Sequence, residues 1–60
     1  MSAKELMMKK INAFELYKRE GKLDTVIKRY PDLVSYIEMN RHKSMEQVKE
    51  ELLKELYVSA

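Results

Sequence analysis

Apolar residues return every three or four positions along nearly the whole chain, the spacing of one face of an α-helix rather than of a strand. Ser2-x-x-Glu5 stands ahead of the first such run and fits a capping box, in which the serine hydroxyl accepts from an otherwise unpaired N–H. At about 100° per residue, Ala3, Leu6, Met7, Ile11, Ala13, Phe14 and Tyr17 fall on one wide face, with Met8 and Leu16 outside it. Gly21, which tolerates the left-handed conformation, closes this helix after Glu20. Leu23, Val26, Ile27 and Tyr30 then follow the i, i+3, i+4, i+7 rule, giving a short second helix that Pro31 ends. Pro31 or Asp32 opens the third, since proline suits a first turn and aspartate suits a cap. Its apolar side holds Leu33, Val34, Tyr36 and Ile37, while Ser35, Glu38, Met39 and His42 point the other way. The polar run at residues 40–43 interrupts the pattern, and Ser44-x-x-Gln47 is a second capping box. Met45, Val48, Leu52, Leu53 and Leu56 form the stripe of the fourth helix, with Glu50 and Lys54 as an i, i+4 pair. A fraying end is expected from Tyr57 to Ala60.

The expected architecture is therefore all-α: one domain spanning residues 1–60, built as a small bundle of four short helices. They run over about residues 3–20, 22–29, 32–41 and 45–57. With one glycine and one proline, the chain has too little turn chemistry for a β-rich fold. A 60-residue chain buries only about 60% of the surface its unfolded form exposes, so its core needs reinforcement. There is no cysteine for a disulfide or thiolate metal site, and one histidine, His42, makes no zinc site. Oligomerisation or docking remains, and a homodimer is the expected state.

Charge refines this picture. Charged residues make up 37% of the chain and the net charge is +2. Residues 1–30 carry eight Lys/Arg against four Asp/Glu, whereas residues 31–60 carry four against six. A basic half and an acidic half attract each other within a bundle or across an antiparallel dimer. Lys10 falls inside the apolar face of the first helix, where it either snorkels to the edge or meets a partner. No apolar run approaches 18 residues, so neither a membrane partner nor a signal peptide is expected, and the expected setting is cytoplasmic.

Catalysis needs several groups held around a pocket, and a bundle of this size encloses little volume. Gly21 alone makes no phosphate loop, and no thiol nucleophile exists. Glu38 and His42 are four apart, but the metal-binding spacings His-Glu-x-x-His and Glu-x-x-His are absent. The expectation is a protein with no enzymatic activity, cofactor, metal or small-molecule substrate. Its expected role is a regulatory interaction module that docks an apolar helix face on a protein partner or on itself. Met8, Leu16, Met39, Leu53 and Tyr57 are the candidate interface residues, because methionine and tyrosine are enriched at interface cores. The alternative partner is nucleic acid. The element order over about residues 22–43 resembles a helix-turn-helix, with the third helix as recognition helix, although no motif residue carries that resemblance. On that reading Arg29, Ser35, Arg41, His42 and Lys43 are the candidate DNA-binding residues.

Overall fold

Both serines expected to start helices do so. In the computed structural model, which describes residues 2–59, the Ser2 hydroxyl accepts from the Glu5 N–H at 3.2 Å. Helix α1 then runs over Ala3–Glu20. Gly21 stops it with φ at +73°, and its N–H donates back to the Tyr17 carbonyl at 2.8 Å. The left-handed turn satisfies one of the carbonyls that a helix end leaves bare. Lys22 and Leu23 belong to the bend that follows, so α2 begins two residues later than expected and spans Asp24–Arg29. So short a helix meets the core along one line: Val26 is fully buried, with Leu23 and Tyr30 half-buried beside it. Ile27 lies about 100° round from Val26. Although expected in the apolar stripe, it is 50% exposed.

The third helix differs from expectation in its first turn. Pro31–Leu33 forms a 3-10 turn, and α3 proper spans Val34–Asn40. Pro31 takes the first position, where its missing N–H is harmless. Asp32 makes no cap; its carboxylate accepts from Lys9 Nζ at 2.7 Å instead. The tighter turn carries Leu33 into the core at 5% exposure. α3 ends at Asn40, whose side-chain amide donates to the Tyr36 carbonyl at 2.8 Å. The following turn is closed by a bond from the Lys43 N–H to the Asn40 carbonyl. Ser44 Oγ accepts from the Gln47 N–H at 3.1 Å and starts α4, Met45–Ser59. Tyr57 and Val58 are thus helical rather than frayed, while Met1 and Ala60 lie outside the described residues. Glu50 and Lys54 form no ion pair; the described residues hold two, Lys9–Asp32 and Lys43–Glu51.

One core joins all four helices: Ala13, Phe14, Leu16, Val26, Leu33, Ile37, Val48 and Leu52. Among the described residues no polar side chain is buried, and no helix is long and apolar enough to cross a membrane. Two positions depart from the sequence expectation. Leu16, expected outside the main face of α1 and offered as an interface residue, is 5% exposed. It lies about 160° round the helix from the fully buried Phe14. α1 packs against α2, α3 and α4, and this wide arc of neighbours encloses both residues. Leu53, expected in the core stripe of α4, is 46% exposed because Val48 and Leu52 hold the inward line.

Unfolding in urea at low protein concentration should separate these positions. Leu52→Ala is expected to cost about 2–4 kcal/mol, and Leu53→Asp less than about 1 kcal/mol. Equal losses would place both leucines in the core. Gly21 has open space around the position of a Cβ, so only its backbone angle opposes Gly21→Ala, with an expected loss of about 1 kcal/mol.

Candidate docking surface

The four helices are unequal: 18 and 15 residues in α1 and α4, but 6 and 7 in α2 and α3. At about 1.5 Å per residue, the long pair outreaches the short pair by more than 10 Å. α1 and α4 run antiparallel, since Ala3, Leu6, Met7 and Lys10 share a groove with Leu52, Glu55 and Leu56. The short helices lie on one side of this pair. Lys9 reaches Asp32, the Lys10 ammonium sits 5.0 Å from the Tyr36 ring centroid, and Glu51 and Glu55 flank that same ring. Burial raises the Tyr36 hydroxyl above its ordinary pKa, and these two carboxylates push it further.

Met8 and Leu53 turn away from that side. Met8 is about 160° round α1 from Lys10, and Leu53 is about 160° round α4 from both Glu51 and Glu55. Each is 46% exposed. The groove sets the register of the two helices, and it brings Met8 and Leu53 within about one turn of the same level. Tyr57, one turn beyond Leu53, is 82% exposed. The molecule measures 33 × 23 × 16 Å, and α2 and α3, on the Lys9–Lys10 side, are the other helices among the described residues. One side of the α1–α4 pair therefore has no helix over it.

Three of the five candidate interface residues, Met8, Leu53 and Tyr57, are exposed on the long pair, Met8 on α1 and the other two on α4. Met39 is exposed at 76% on α3, apart from them, and Leu16 is in the core. The groove is the feature that the sequence pattern missed. It measures about 120 Å³ at the end of the bundle where the short helices stop, and it leaves Leu6 at 38% exposure. Its signal was present in the short interval between Gly21 and Pro31, which limits α2 to a turn and a half.

The candidate DNA-binding residues are more scattered. Arg29 ends α2, Ser35 is in the first turn of α3, and Arg41 and His42 lie in the turn beyond α3, all exposed. Lys43 is half-buried and bonded to Glu51 at 2.7 Å. Lys18 donates to the Arg41 carbonyl at 3.2 Å and lies over the Phe14 ring. Exposed Glu38 shares α3 with Ser35 and Met39. No group of three or more possible metal-ligating residues occurs among the described residues.

No protein-family model, curated protein or solved structure matches this chain.

The two ion pairs tie the α2–α3 side to the long helices. The Lys9 ammonium, by its hydrogen bond, holds the Asp32 carboxyl below its ordinary pKa, and Lys43 does the same for Glu51. A carboxylate whose pKa folding lowers stabilises the fold above its unfolded pKa and loses that contribution as the pH drops through the folded value. The melting temperature should therefore fall as the pH is lowered from about 5 to about 3. The double variant Asp32→Asn, Glu51→Gln should start lower and fall less steeply. Identical slopes would show that neither pair contributes.

Proposed function

We propose that the protein is a non-enzymatic, cytoplasmic interaction module that regulates or recruits by laying the open side of its α1–α4 pair on a protein partner. The observation that carries this reading is that Met8 and Leu53, on the two longest helices, each stay 46% exposed. Contiguous apolar surface rimmed by charge marks a site of association. Methionine suits such a surface because its unbranched, polarisable side chain adapts to what it meets. Tyr57 extends the patch with a ring that is apolar in body and polar at its tip. The groove of about 120 Å³ is small beside ligand pockets, which run to about 300–1,000 Å³. Lys10 and Glu55 on its walls are two opposite charges without a nucleophile or a third group to orient them.

The nucleic-acid alternative draws less support. Of the basic groups near α3, Lys43 is held by Glu51 and Lys18 by a backbone carbonyl. Glu38 would stand against the phosphates.

Affinity capture from the native source, with wild-type and Leu53→Glu baits compared side by side, tests the proposal. A protein retained by the wild type and lost from the variant, with nuclease treatment making no difference, is the expected result. Retention that ignores Leu53→Glu would remove this surface from the function, and nuclease-sensitive retention would favour the nucleic-acid reading.

A further inference from the structure

We draw no further inference here: the strongest candidate, the apolar groove between the start of α1 and the end of α4 lined by Leu6, Met7, Leu52 and Leu56, carries nothing because nothing in the structure shows what covers it.

Discussion

Phe14, Val26, Ile37 and Val48 are fully buried, one from each helix, and the rest of the molecule is arranged around their contact. With no disulfide and no buried polar group among the described residues, this apolar knot is the main force that makes four helical segments one body. The two short segments would not be helical alone; helices shorter than about 12–15 residues are marginal in water without tertiary packing. α2 and α3, at six and seven residues, depend on it entirely.

A knot of one large side chain per helix sits where all four helices overlap, and that place is set by the shortest of them. The ends of α1 and α4 run past it. Polar contacts work at the margins of the overlap rather than in its centre. Lys9 and Asp32 fasten the 3-10 turn to α1, Lys43 and Glu51 fasten the last turn to α4, and Lys18 bridges α1 to the Arg41 carbonyl. These contacts fix where the short helices lie. The open side and the end groove are what remains uncovered.

That remainder has a chemical character of its own. Leu6, Met8, Leu53 and Tyr57 stay partly or largely in water, although a solvated helix surface gains nothing from them. A small domain whose core is limited by two short helices gains most by covering this surface with another protein surface.

The local elements were legible in the residues because each has a local cause. Ser2 and Ser44 supply hydroxyls to the N–H groups three residues on, Gly21 supplies a positive φ, and Pro31 forbids the helical register before it. These are interactions within a few positions of sequence. What Leu16, Ile27 and Leu53 do could not be read the same way. A period of 3.6 residues shows which residues share a face, but not how wide an arc the neighbours cover. Leu16 is buried because three helices surround α1, and Ile27 and Leu53 are exposed because α2 and α4 meet the core along narrower lines. Asp32 had the chemistry of a cap and became the partner of a lysine 23 residues away. The sequence alone determined which segments are helical and where they stop; which apolar faces are left uncovered was decided by the unequal reach of the packed helices, a property of all four together.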